Sequence, residues 1–182
     1  RIYQRDNDPQ IPIRVACIAD LDIPSDEAKT YLPEKRKTAS QLGDGWRKER
    51  IEKLTADDTA PVKTFPSDHW TLEFDLARSG LAACTHTAIQ LAKKEKSRKT
   101  PLSPADYESI RKEAGETFAD WQENYSEEKL AAEIYAPLLK RDASKAVAAQ
   151  HLADLLESLD PETLKSFRSM IPAYLVEAID YV

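Results

Sequence analysis

The sequence predicts an α/β fold: a parallel sheet flanked by helices, with a helix-rich insertion and a helical C-terminal part. Three observations lead there. A short run rich in β-branched residues, Ile11-Pro12-Ile13-Arg14-Val15-Ala16-Cys17-Ile18-Ala19, ends abruptly in acid at Asp20-Leu21-Asp22, which is the pattern of a buried parallel strand. From Asp75 onward, apolar residues recur at helical spacing almost to the C-terminus. Helix-start signatures punctuate that half, at Ser103-Pro104-Ala105-Asp106 and Asp160-Pro161-Glu162, each with a capping side chain, proline at the first position and acid in the first turn.

The elements follow in order. After the strand at 11–19, Ile23-Pro24 breaks the run and Ser25-Asp26-Glu27 starts a short helix. Gln41-Leu42-Gly43-Asp44-Gly45 is turn chemistry. Trp46 to Leu54 reads as an amphipathic helix with Trp46, Ile51 and Leu54 near one face. Val62-Lys63-Thr64-Phe65 alternates as a second strand. Leu76, Leu81, Ala88, Ile89 and Leu91 predict one helix running into the charged stretch Lys93–Lys99, which ends in a loop at Thr100-Pro101. Further stripes are Leu130, Ile134, Tyr135, Leu138 and Leu139, with Pro137 able to kink the helix, and Val147, Leu152, Leu155, Leu156 and Leu159. A last helix from Asp160 carries Phe167, Met170, Ile171, Leu175 and Ile179. No internal repeat is visible. The reading divides the chain into an α/β core at 1–97, a helical insertion at 98–140, and C-terminal helices at 141–182 that complete the core's domain.

Composition removes several classes. A chain of 182 residues suits one domain, or one domain carrying an insertion. No apolar run approaches the ~20 residues of a membrane span. With no signal peptide either, a cytoplasmic location without membrane contact is expected. Two cysteines make neither a disulfide framework nor a four-cysteine zinc site. Four scattered glycines make no phosphate loop. The chain opens on Arg1-Ile2-Tyr3 rather than Met, so it reads as a piece of something longer. A net charge of -6 argues against simple coating of a nucleic-acid backbone. Basic clusters nevertheless stand at Lys35-Arg36-Lys37, at Arg47-Lys48 with Arg50, and at Lys93–Lys99; each is either a phosphate contact or a solvated face.

The chemistry concentrates at three places. Asp20 and Asp22, two apart, put both carboxylates on one side of an extended segment, at the strand end where open α/β sheets bind ligands. Two close carboxylates repel without a cation, and a hard divalent ion such as Mg²⁺ suits oxygen donors. The alternative is a polar turn. Glu73, in Thr71-Leu72-Glu73-Phe74-Asp75, either shares a strand face with Thr71 and Asp75 or is first-turn acid of a helix capped by Thr71. Lys145 is a lone cation in the small, apolar stretch Asp142–Ala149, either solvated or placed to stabilise charge on a transferring phosphoryl group. His69, His86 and His151 are widely separated; His86 and His151 are expected to be structural or surface residues, and Cys84-Thr85-His86 is too sparse for zinc.

Together these motifs resemble a family. Ile18-Ala19-Asp20-Leu21-Asp22-Ile23-Pro24 resembles the D-x-D strand end of a TOPRIM domain. Thr71-Leu72-Glu73-Phe74-Asp75-Leu76-Ala77, Ser144-Lys145-Ala146 and the closing Ile171–Ile179 segment resemble the C-terminal TOPRIM domain of OLD-family (overcoming lysogenization defect) nucleases of class 2. The resemblance spans most of the chain but not residues 98–127. It implies DNA cleavage with two divalent ions, Mg²⁺ or Mn²⁺, with Asp20, Asp22 and Glu73 as metal ligands, Thr71 in the same shell and Lys145 stabilising the transition state. It also implies an N-terminal ATPase domain on the same polypeptide, which would carry the ATP site, and allows a homodimer. The family's first strand, with its glutamate, has no match before Ile11. It is expected upstream of Arg1, with Arg1–Asn7 as the end of a helix leading to the D-x-D strand. A primase-like or haloacid-dehalogenase phosphoryl-transfer enzyme is one alternative, although the latter's second Asp pair is not evident. A non-catalytic assembly module is the other.

Overall fold

A computed structural model describes residues 13–182; the expected strand start at Ile11-Pro12 and the helix end at Arg1–Asn7 lie outside them. Two strands pair in parallel, β1 (Val15–Ala19) and β2 (Val62–Pro66), in register from Val15 opposite Val62 to Ala19 opposite Pro66. The remaining elements are a 3-10 helix at Asp26–Tyr31, then α1 (Ala39–Leu42), α2 (Asp44–Thr55), α3 (Leu72–Ala77), α4 (Ala82–Lys96), α5 (Pro104–Asn124), α6 (Glu127–Leu139), α7 (Lys145–Glu157), α8 (Pro161–Met170) and α9 (Ala173–Tyr181). The described chain is thus mostly helical around a small parallel sheet.

Four expectations are corrected. The first strand is short and not buried: Val15 and Ile18 are each 43% exposed, and Cys17 is exposed rather than packed inside. Among the described residues only β2 pairs with it, and α9 packs along both strands. Gln41-Leu42 closes the short α1, and the turn is confined to Gly43, whose φ of +80° suits a residue without Cβ. The single helix expected from Leu76 to Leu91 is two, because the Ser79 hydroxyl accepts from the Leu81 N–H (3.1 Å) and interrupts the ladder. The final helix is also two, since Ile171 is extended and Pro172 opens α9.

Start signals that the sequence carries are used as read. Ser103 Oγ accepts from Asp106 N (3.2 Å), and the Asp106 carboxylate accepts from Ser103 N (2.9 Å), a reciprocal capping box. Asp160 accepts from Glu162 N and Thr163 N at 3.0 and 2.9 Å. Ser25 caps the 3-10 helix through Glu27 N (3.2 Å). Pro137 does not end α6, which continues to Leu139.

The core is centred on α6. Leu130, Ala131, Ala132, Ile134, Tyr135, Ala136, Pro137 and Leu138 are all buried, and Glu133 is the one charged residue among them. Around it lie α3, α4 and the 3-10 helix, while α5 and α7 pack on α4. Two bonds tie the 3-10 segment to α6: the Tyr31 hydroxyl donates to Glu133 and the Ser25 hydroxyl to Glu128, both at 2.6 Å. One apolar cluster runs from Ala28 to Ala148, across the expected divisions at 97/98 and 140/141. A second, smaller cluster joins Phe65 of β2 to Tyr174 and Ala178 of α9. Among the described residues no helix is long and apolar enough to cross a membrane.

Candidate functional site

The site begins with the loop between β2 and α3. Ser67 N donates to Ala19 O (2.8 Å), Leu21 N donates to Ser67 Oγ (2.8 Å), and the Ser67 hydroxyl donates to Trp70 O (3.1 Å). Asp22 N donates to Trp70 O at 2.9 Å. From the other side Asp75, 3% exposed, accepts from Asp68 N (2.7 Å) and His69 N (3.3 Å) and meets His69 Nδ1 at 3.0 Å. Buried polar groups need such partners, and here they seat the start of α3 against the end of β1. Thr71, buried, caps α3 by accepting from Phe74 N (3.3 Å). The residues 71–75 are therefore a helix start, and the extended alternative falls.

Asp20 leaves the strand and accepts from Leu72 N at 3.0 Å. Burial raises its carboxyl pKa above the ordinary value; the Leu72 N–H opposes this, while the Glu73 charge adds to it and Lys145 subtracts. Glu73 Oε2 accepts from Lys145 Nζ at 2.9 Å. Lys145 is the first residue of α7, and its ammonium lies 5.7 Å from the centre of the buried Tyr135 ring. Burial would lower the Lys145 pKa, but the hydrogen bond to Glu73 and the Tyr135 hydroxyl hold it above the ordinary value. Burial likewise raises the Tyr135 hydroxyl, with Thr71 and Lys145 acting the other way. Asp20, Glu73, Lys145 and Thr71, drawn from three distant stretches, thus meet around the N-terminus of α3.

Asp22 does not join them as expected. Its φ is +61°, a left-handed conformation that Asp tolerates better than most side chains, so the D-x-D segment is not extended through its second acid. Its carboxylate meets Arg50 Nη2 at 3.1 Å and, more distantly, Arg36 Nη2 at 3.9 Å. The donors fit a hard divalent cation in kind: the Asp20 and Glu73 oxygens, with the Thr71 hydroxyl beside them. In number they fall short, because among the described residues no three of His, Cys, Asp or Glu are grouped to hold a metal ion.

His86 and His151 are structural and not on the surface. His86 is 1% exposed, against the Trp121 ring at 5.0 Å, and burial lowers its pKa to about 4. His151 Nε2 meets Glu95 Oε2 at 2.9 Å. Three contributors escaped the sequence reading. Tyr135 was legible only as one apolar position of a helical stripe. Asp75 carried a weak signal, as an acid between Phe74 and Leu76. Ser67 carried none. No protein-family model, curated protein or solved structure matches the chain.

Proposed function

We propose that the chain is a metal-dependent DNA endonuclease of the OLD-family type, its small parallel sheet and surrounding helices forming a TOPRIM-like domain. The observation that carries this reading is the convergence of Asp20, Glu73 and Lys145 at the C-terminal end of a parallel strand, where open α/β sheets bind ligands. Asp20 and Glu73 would hold divalent ions, which when bound supply an activated water and neutralise charge on the phosphodiester. The chain's own groups do the rest. Lys145 stays charged at neutral pH and offers a cation to the pentacovalent phosphorane. Glu73 and the Tyr135 ring fix where that ammonium stands, and the Ser67 and Asp75 bonds fix α3. No protein nucleophile is needed. On this reading DNA is the substrate, an ATPase domain of the same polypeptide is the partner, and a homodimer is compatible.

The test is nicking of supercoiled plasmid with Mg²⁺ or Mn²⁺ by the full polypeptide. Asp20→Ala and Glu73→Gln should abolish cleavage. Lys145→Ala should slow it about 10²–10³-fold, the usual effect of losing one charge-stabilising donor, with metal binding retained. Unchanged cleavage by Asp20→Ala or Glu73→Gln overturns the reading.

One observation favours a second reading, a non-catalytic assembly module: Asp20 and Glu73 each already have a structural partner, the Leu72 N–H and Lys145. On that reading no divalent ion binds, and the same substitutions lower only stability.

A further inference from the structure

Two basic stretches far from each other in position reach the same turn. Arg36 precedes α1 and Arg50 lies in α2, yet both guanidinium groups close on the end of β1. Arg50 Nε donates to Leu21 O at 3.2 Å and Arg36 Nη2 to Asp22 O at 3.3 Å. Both arginines are thereby anchored on neutral backbone carbonyls, independently of any carboxylate. Among the described residues they meet a single acid side chain, Asp22, closely at Arg50 (3.1 Å) and loosely at Arg36 (3.9 Å).

We propose that Arg36 and Arg50 form a phosphate-binding subsite for a nucleic-acid backbone, and that the Asp22 carboxylate is its internal stand-in, displaced when a phosphodiester arrives. The inference rests on the DNA-cleaving reading and names how that site grips its substrate.

The charges support it. Two cations close on the Asp22 carboxylate, while Asp20, near enough to feel the Asp22 charge, directs its side chain to Leu72 N. Guanidinium groups match phosphate oxygens in a two-pronged geometry; Arg50 spends Nε on Leu21 O and Nη2 on Asp22, whereas among the described residues Arg36 uses Nη2 alone. Asp22 and Arg36 side chains are both 49% exposed, so an incoming anion can reach them. An ion pair that exposed is worth little, and a competing phosphate displaces it at small cost. The location is also apt: Leu21 and Asp22, which the two arginines hold, directly follow Asp20 in the chain. Lys35, Lys37, Arg47 and Lys48 flank the two arginines in sequence, interleaved with Glu34, Glu49 and Glu52. Arg47 itself donates to Asp68 O, and Lys48 lies 3.9 Å from Glu52.

The experiment measures binding of a fluorescent DNA duplex to the full polypeptide by anisotropy across a salt series, with Ca²⁺ as the divalent ion. Arg36→Ala should weaken binding by about tenfold, the effect of losing one charge-assisted contact, and should flatten the slope of log K against log salt by about 0.9. Arg50→Ala should do the same, and Arg50→Lys should restore the salt slope but not the full affinity. Asp22→Asn should tighten binding, because it removes the competitor; a purely structural role for the arginines predicts no tightening. Should Arg50→Ala fail to fold by circular dichroism, Arg36→Ala and Asp22→Asn decide alone. DNA bound by the wild type with unchanged affinity and slope in these variants overturns the subsite and leaves the nuclease reading standing. A wild type that neither binds nor cleaves DNA overturns both.

Discussion

Asp20 and Asp22 show how much one backbone angle decides. Both stand where a D-x-D motif at a strand end places them, yet the left-handed turn at Asp22 sends the second carboxylate to Arg36 and Arg50 while the first caps α3. A sequence reveals residue types and period; it does not reveal a single φ reversal set by two hydrogen bonds to the neighbouring loop. Asp20, Glu73 and Lys145 were legible because an acid at a strand end, an acid in a helix's first turn and a cation among small residues are local patterns. Tyr135 was not, since its contact with Lys145 depends on how α6 and α7 pack. The same scale holds a pH prediction. His86 is buried, and neither ring nitrogen has a hydrogen-bond partner among the described residues. Its pKa falls from 6.5 to about 4 on folding. A lowered histidine pKa means the unfolded chain binds the proton more readily. Above pH 6.5 its titration contributes nothing to the pH dependence, and as pH falls toward about 4 it destabilises the fold by roughly 1.4 kcal/mol per pH unit. His86→Phe, which keeps the aromatic packing, should flatten the stability profile between pH 6.5 and 5 in urea titrations. An unchanged slope would show that the protons responsible sit elsewhere.

Among the elements, the beginnings of helices were more legible than their ends. Capping boxes are written in adjacent residues, so α5 and α8 start where Ser103 and Asp160 say. The interruptions between α3 and α4, and between α8 and α9, rest on the Ser79–Leu81 bond and on Pro172. Gly80 lets the two breaks meet. A Cβ at this position would stand 2.9 Å from both Cα and Cβ of Met170, which is closer than atoms can pack. The α3–α4 corner and the end of α8 therefore touch at a point that only glycine permits. Gly80→Ala should cost about 1–3 kcal/mol, the usual range for overpacking, read as a lower urea midpoint at constant slope. A variant as stable as the wild type would show that α8 can shift without loss. The buried-strand expectation for β1 failed for a similar reason: its composition suits the interior, but burial depends on what covers it, and Val15 and Ile18 remain substantially exposed.

At the level of the whole molecule, two apolar clusters of unequal size share one chain. The large one unites α3, α4, α6 and α7; the small one unites β1, β2 and α9. The α/β character and helical excess were readable from composition and period, but this division was not, because it depends on which faces meet. Regions with few buried apolar contacts open at lower free energy than well-packed ones. Native-state hydrogen exchange should therefore show the amides of β1, β2 and α9 opening well before those of α4 and α6. A single opening energy for both groups would contradict it.

The hydrogen bonds that define the site join residues 52 and 72 positions apart in the chain. This has a consequence during synthesis. Asp20 leaves the ribosome long before Lys145, and at the usual rate of about 5–20 residues per second the interval is roughly 6–25 s. For the later part of that time, once Glu73 has also emerged, a nascent chain carries the carboxylates of a candidate hydrolytic centre without the ammonium that would complete it. On the nuclease reading, the centre reaches its full rate only once α7 has been made and docked, so the order of translation itself holds that activity back until late in synthesis.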